Sequence, residues 1–221
     1  MSEPQPFPFP VTAVARPWDA RLARRLVTPL KDSRITPNHL TTVRLGFGIA
    51  AAVAFIPGAY GWSNLGAMLL VLSNFLDHTD GELARISGKT SRVGHLYDLA
   101  SDAAVTILLF VAMGVGLGAR PGLALPVPPA VLGLAAGVSI ALIFFLRMRI
   151  EEAAGKAASR QAALAGFETE DVLYLLPLVT VCNGMVPFLI AASIGAPLFA
   201  IWVAIDYRRV VLHPRVATSG T

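Results

Sequence analysis

Four aspartates constrain this chain more than any other feature. They lie in the segment 77–102, DHTDGELARISGKTSRVGHLYDLASD, between two apolar runs. Asp77 and Asp80 are three residues apart; Asp98 and Asp102 are four apart. Both spacings put side chains on one face of an α-helix, so each pair aims its carboxylates in one direction. The polar stretch from Ser87 to Arg92 reads as a turn between two helices. One helix therefore ends, and the next begins, with a pair of carboxylates.

The surrounding chain is membrane-like. Of 221 residues 55% are hydrophobic and 14% are charged, against about a quarter charged in an ordinary soluble domain. Mean hydropathy is +0.63. The expected fold is all-α and integral to a membrane, with six transmembrane helices preceded by an amphipathic interfacial helix. The one cysteine, Cys182, excludes a disulfide framework and a thiolate metal site. Residues 1–15 lack the continuous apolar core of a secretory signal.

Residues 1–17 are rich in proline and read as irregular. Trp18, Leu22, Leu26, Val27 and Leu30 then recur at helical spacing among Arg21, Arg24, Arg25 and Lys31. That pattern predicts a helix lying in the membrane interface, apolar face down; packing on the protein's own loops is the alternative. Residues 1–35 form this N-terminal part, 36–210 the membrane domain and 211–221 a tail. The first span, about 39–57, opens at Thr36-Pro37-Asn38, where Pro37 suits the first turn and Thr36 or Asn38 can cap. Arg44 lies just inside it, and a lone cation there should face the bundle rather than lipid. Further spans are read at about 62–84, 95–118, 127–147 and 186–206. Another ends near Asn183-Gly184; it starts near Asp171 or, to be long enough, within the Ala-rich 157–167 stretch.

Basic residues alternate along these spans. Arg16, Arg21, Arg24, Arg25, Lys31 and Arg34 precede the first. Arg85, Lys89 and Arg92 join the second and third. Arg147, Arg149, Lys156 and Arg160 join the fourth and fifth, and Arg208, Arg209 and Arg215 follow the sixth. The opposite connections hold only Arg120. The positive-inside rule then puts both termini and all four aspartates on the cytoplasmic side of the cell (inner) membrane.

Carboxylates at a membrane edge are costly and functional by default. Oxygen ligands without soft partners suit Mg²⁺ or Mn²⁺, and two such ions about 3.5–4 Å apart are a known device for phosphoryl transfer. The alternative is helix capping and ion pairing with Arg85, Lys89 and Arg92.

The pattern Asp77-x2-Asp80-Gly81-x2-Ala84-Arg85-x8-Gly94-x3-Asp98-x3-Asp102 resembles, at every position, the signature of the CDP-alcohol phosphotransferase family. The hydropathy around it is similar to that family's six-helix layout. The resemblance implies a metal-dependent membrane transferase of phospholipid synthesis. It would move a phosphatidyl group from a CDP-linked donor, CDP-diacylglycerol being favoured, to an alcohol, with release of CMP. It implies that Asp77, Asp80 and Asp98 ligate metal ions, two being expected, and that Asp102 shares in ligation and acts as general base. Gly81 and Ala84 would leave room for the nucleotide, or serve tight helix packing. Arg85 would fork onto a phosphate, or act as a cytoplasmic anchor. Gly94 is a further motif position at the CDP site. Ser91, and Asn38 with Thr41 in a Pro-Asn-x-x-Thr arrangement, would add donor contacts, helix capping being the alternative for each.

The acceptor stays open. Arg147, Arg149, Lys156, Arg160 and Arg208 are candidates for a basic acceptor pocket, though snorkelling accounts for most of them. His78 and His95 read as bystanders. Glu168, Glu170 and Asp171 suit a helix start. The expected partners are the CDP-linked lipid donor, the alcohol and the bilayer. A homodimer is left open and no nucleic acid is expected. A donor carrying an amino-alcohol headgroup, with diacylglycerol as acceptor, is the rival within this chemistry. A divalent-cation transporter is the rival outside it, disfavoured because its carboxylates should sit at the bilayer midplane on broken helices.

Overall fold

The computed structural model describes residues 18–123, 125–154 and 174–212. Among these residues no strand occurs, and seven α-helices carry the architecture: α1 Trp18–Val27, α2 Pro37–Phe55, α3 Tyr60–Ser87, α4 Arg92–Gly118, α5 Pro129–Ala154, α6 Leu176–Val181 and α7 Met185–Tyr207. Three segments, Arg92–Gly118, Pro129–Ala154 and Met185–Val211, are long and apolar enough to cross a membrane. The Pro-rich 1–17 segment, the Ala-rich stretch expected to begin the fifth span, Lys156, Arg160, Glu168, Glu170, Asp171 and the tail with Arg215 lie outside the described residues.

Helix boundaries follow local chemistry. Pro37 opens α2, where its missing N–H costs nothing. The Thr36 N–H donates to His39 Nδ1 at 3.2 Å, so Thr36 rather than Asn38 occupies the cap. Gly88 ends α3 in the left-handed region at φ +67°, its N–H donating to the Ala84 carbonyl at 3.1 Å. Ser91 caps α4 by accepting the Gly94 N–H at 2.9 Å. The expected turn is therefore the tight connection 88–91. It is fastened by the Lys89 ammonium, which donates to the Ser33 carbonyl at 2.7 Å and lies 3.4 and 3.5 Å from those of Lys31 and Ile35. Lys89 thus joins the α3–α4 turn to the strap leading into α2, at the end of the bundle where the aspartates lie.

The bundle is drawn together by small residues. α2 packs on α3 and α4, α4 on α5, and α5 on α7. A Cβ on Gly133 of α5 would meet the Phe110 carbonyl of α4, and one on Gly137 would lie 2.9 Å from Ile107 Cα. Backbones separated by four-residue glycine spacing approach closely, which is how membrane helices gain dispersion contact without a hydrophobic drive. Phe55, Leu70, Leu109, Phe110, Met113 and Leu117 fill the core. At the far end from the aspartates, the α2–α3 turn rests on α4, Gly58 against Gly116. There Arg120 Nε donates to the Gly58 carbonyl at 3.1 Å. The one cation of the opposite connections is thereby a loop fastener.

The N-terminal helix splits its expected apolar stripe. α1 packs against α3, with Ala23 and Val27 buried, whereas Leu22 and Leu26 face outward beside Arg25. Adjacent helical positions lie about 100° apart, so Leu26 and Val27 serve different surfaces. Across the α1–α3 contact, Arg24 approaches the buried Glu82 at 4.0 Å.

Close backbone approach and open space predict opposite effects of the same change. Gly133→Ala should destabilise by about 1–3 kcal/mol through overpacking. Gly195→Ala, with nothing within 4 Å of its added Cβ, should be neutral or stabilising by up to about 1 kcal/mol. Thermal melting in detergent micelles measures both, and equal melting temperatures for the two variants would contradict the packing described.

Candidate functional site: four aspartates around Arg44

Three helices build the site. α3 brings Asp77 and Asp80 near its end, α4 brings Asp98 and Asp102 near its start, and α2 brings Thr41 and Arg44 in its first turns. Arg44 lies at the centre. Its Nη1 donates to Asp77 Oδ1 at 2.7 Å and also to Asp102 Oδ1. Its Nη2 donates to Asp98 Oδ1 at 2.8 Å, and its Nε stands 3.9 Å from Asp80 Oδ2. One guanidinium thus faces all four carboxylates. The planar fork of arginine allows this; a lysine ammonium would offer a single point.

Arg44 reaches both neighbouring helices because α2 lies close to them. A Cβ on Gly48, one turn beyond Arg44, would come within 2.6 Å of Val105 and 3.3 Å of Ser73 Oγ. Ser73 in turn donates to the Arg44 carbonyl at 3.0 Å, tying α3 to α2 at that level. The guanidinium is buried, its side chain only 6% exposed.

The four aspartates are not equivalent. The side chains of Asp77, Asp98 and Asp102 are 37%, 37% and 43% exposed, whereas that of Asp80 is 6% exposed. Asp77, Asp98 and Asp102 each offer an oxygen within 4.8 Å of the others. Asp80 stands behind them and accepts a hydrogen bond from Thr41 Oγ1 at 2.9 Å. Three convergent carboxylates, all hard oxygen donors, fit a divalent cation such as Mg²⁺ or Mn²⁺. His78 and His95 stand outside this group.

The remaining expected residues sort by geometry. Gly81 faces open space, its nearest neighbour being the Arg85 guanidinium, 4.0 Å from a Cβ placed there. Arg85 is exposed and donates to the buried Glu82 at 2.5 Å. Ala84 lies half-buried on the same helix. Asn38 approaches α4 so closely that a Cβ on Gly94 would fall 2.7 Å from Asn38 Oδ1 and 3.0 Å from Ser91 Oγ. Gly94 is therefore where Asn38 and the cap of α4 meet, and the capping role of Ser91 is realised. Thr41 faces Asp80. Farther off, Arg149 pairs with Glu152 at 2.7 Å, and Arg147 lies over the Phe199 ring at 5.9 Å.

Sequence reasoning missed Arg44 as a member of the site. The alternative of ion pairing named Arg85, Lys89 and Arg92 as partners of the aspartates. In the structure Arg85 pairs with Glu82 and Lys89 with backbone carbonyls. The signal for Arg44 was present: a lone cation in an apolar helix, three residues after Thr41 and so on the same face. Glu82, the buried partner of Arg85 and Arg24, carried no such signal.

Comparison with known proteins bears on this geometry. The sequence model of the CDP-alcohol phosphatidyltransferase family matches residues 34–205. A bifunctional IPC transferase and DIPP synthase of Rubrobacter xylanophilus is 32% identical over 147 residues, covering 66% of this chain and 30% of that protein. A CDP-diacylglycerol–glycerol-3-phosphate 3-phosphatidyltransferase of Cereibacter sphaeroides is 34% identical over 92 residues, covering 41% of this chain and 42% of the relative. The chain thus spans less than half the length of these relatives in the matched region. The crystal structure of phosphatidylinositol phosphate synthase of Mycobacterium tuberculosis with CDP-DAG bound shares the fold, with TM-score 0.56, 22% identity, and coverage of 87% of this chain and 92% of that one. The same enzyme in complex with manganese and citrate gives a TM-score of 0.55 at 20% identity, covering 88% and 87%.

The Thr41–Asp80 contact is testable by itself. Thr41→Val keeps the shape and leaves a buried carboxylate without its hydroxyl donor, at a cost of about 1–3 kcal/mol. Thr41→Ser should restore most of it. Melting of the three proteins in detergent is the measurement, and an unchanged Thr41→Val midpoint would contradict the assigned contact.

Proposed function

The chain belongs to the CDP-alcohol phosphatidyltransferase family, and from that membership and the aspartate cluster we infer that it transfers a phosphatidyl group from CDP-diacylglycerol to an alcohol, releasing CMP. The observation that carries this reading is the convergence of Asp77, Asp98 and Asp102 within 4.8 Å, on an intact motif. The manganese and CDP-DAG bound in the Mycobacterium tuberculosis enzyme support the same cofactor class and donor here.

Asp77, Asp98 and Asp102, with Asp80 behind them, would hold one or two divalent ions. Ions there supply charge neutralisation for the diphosphate and in-line placement of the reacting groups. The rest falls to the chain's own residues. Gly81 leaves the face of α3 clear, so a nucleotide can lie against the helix. Arg85, exposed beside Gly81, places a guanidinium within reach of a donor phosphate. Asn38 and Gly94 bring α2 and α4 together at the edge of the same space. Asp102 accepts the proton of the acceptor hydroxyl as its oxygen attacks the phosphorus that carries the lipid. The bond from that phosphorus to CMP then breaks, and CMP leaves with the electron pair.

The protein is a multi-pass membrane protein with six spans. Three are supported by long apolar helices, and α2 and α3 pack with them in the same bundle. Outward Leu22 and Leu26 beside Arg25 support an interfacial setting for α1. The basic residues on alternate connections support a cytoplasmic site and cytoplasmic termini.

The decisive experiment incubates purified protein with CDP-diacylglycerol and a panel of alcohols, including phosphorylated and amino alcohols, and measures CMP. Release should require Mg²⁺ or Mn²⁺ and stop in excess chelator; undiminished release in chelator would sink the reading. Asp102→Asn should lose about 10²–10⁴ in turnover while donor affinity, read by calorimetry, stays within a few-fold of the unmodified protein. Asp77→Asn should weaken donor binding as well. Equal loss of donor binding in the two variants would make Asp102 one more ligand and not a base.

Orientation is a separate question. A cysteine introduced at Ser87, in protein whose Cys182 is replaced by serine, should resist an impermeant thiol reagent added outside intact cells. Rapid outside labelling would reverse the topology.

A further inference from the structure

We propose that Arg44 is the resident counter-cation of the aspartate cluster, and that divalent ions enter the site by exchange against its guanidinium. The inference rests on the metal-dependent reading of the same site and deepens it, making Arg44 a positioning residue.

The geometry carries the argument. The three aspartates that converge as a cation site are the three to which Arg44 donates. Each gives the guanidinium one carboxylate oxygen, and Asp98 adds its backbone carbonyl at 3.4 Å. A cation drawing on those oxygens and a guanidinium hydrogen-bonded to them compete for the same lone pairs. They would also be like charges a few ångströms apart in a poorly screened bundle.

Among the described residues, Arg44 is the cation that stands within ion-pair distance of all four carboxyl groups. Their mutual repulsion would open the α3–α4 corner were Arg44 absent. Even with it the carboxyl groups outnumber the guanidinium four to one, so the cluster still offers oxygens to a cation. Arg44 therefore preorganises the ligands while leaving them unsaturated.

The structure also supplies a place for the displaced group. Arg44 Nε is buried and has no hydrogen-bond acceptor. It points toward Asp80 Oδ2 at 3.9 Å, about 1 Å beyond an ordinary N–H···O distance. Asp80, which is not one of the three converging aspartates, accepts instead from Thr41. A shift of about that distance completes the Nε–Asp80 bond as the other three aspartates are released. The buried aspartate thus retains the arginine, and the exposed ones become free for the ion.

Mn²⁺ binding tests this without reference to turnover. Unmodified protein, Arg44→Lys and Arg44→Gln are purified in detergent, and free Mn²⁺ is titrated by electron paramagnetic resonance. Arg44→Gln removes the competitor and should bind Mn²⁺ about tenfold or more tightly than the unmodified protein, a factor of ten being about 1.4 kcal/mol. Arg44→Lys keeps the charge but not the fork, and should fall between the two. In chelator Arg44→Gln should melt below the unmodified protein and gain more on Mn²⁺ addition. Equal or weaker Mn²⁺ binding by Arg44→Gln, with the unmodified protein binding normally, would overturn the exchange and leave the metal reading intact. If Arg44→Gln does not fold, Arg44→Lys takes its place: tighter Mn²⁺ binding than the unmodified protein supports the exchange, and equal or weaker binding overturns it. Absence of Mn²⁺ binding by the unmodified protein would overturn both.

Discussion

The structure depends on one buried arginine. Arg44 enters from α2 and holds carboxylates from α3 and α4 in a single hydrogen-bonded cluster. Without a cation between them, the two pairs of aspartates would repel across the corner where α3 turns into α4. With it, three helices share one ionic centre at one end of the bundle. The interaction is demanding as well as stabilising. A buried ion cluster is a weak source of net stability, since desolvation offsets much of the attraction. It is a strong source of specificity, because only one register of α2 against α3 and α4 brings the guanidinium to its partners.

That register is fixed by packing at a distance from the charges. Gly48 admits Val105 and Ser73, Gly58 rests on Gly116, and Gly133 admits the Phe110 carbonyl. Each close approach removes a degree of sliding between helices. At the charged end, Gly88, Ser91 and Lys89 do the same for the turn. An apolar bundle without such contacts could rotate its helices at little cost, because lipid solvates an apolar side chain as well as another helix does. Glycine contacts and capping bonds are directional, and they turn a sticky bundle into a defined site.

The site is graded from inside to outside. Asp80, with Thr41 and the Arg44 Nε, forms a buried inner part; Asp77, Asp98 and Asp102 form an outer part open to ligand. Gly81 and Arg85 extend the outer part along α3. Such grading suits the proposed transfer, in which a charged diphosphate must be held while an alcohol approaches one reacting face. It also separates two tasks that the sequence motif runs together: holding the ligands in place, and binding.

Much of this was legible in the sequence. The carboxylate spacing placed Asp77 with Asp80 and Asp98 with Asp102 on helix faces, and the limits of the first three spans and the last fell within a few residues of those observed, because proline, glycine and serine act on their immediate neighbours. The family followed from the motif, whose positions are fixed by local periodicity. What the sequence could not decide was which groups meet across helices. The cations it offered as alternative partners of the aspartates were the nearby Arg85, Lys89 and Arg92, where the structure pairs them with Arg44, more than thirty residues before Asp77. It set Asp102 apart as base and grouped Asp80 with Asp77 and Asp98 as ligands, and it carried no sign that Asp80 is the buried one. It drew one apolar stripe on α1, where α3 claims Val27 and leaves Leu26 outside. Local order is set by backbone geometry and neighbouring side chains, and is written along the chain. Burial and charge pairing between distant segments depend on helix register, which arises only when the helices pack.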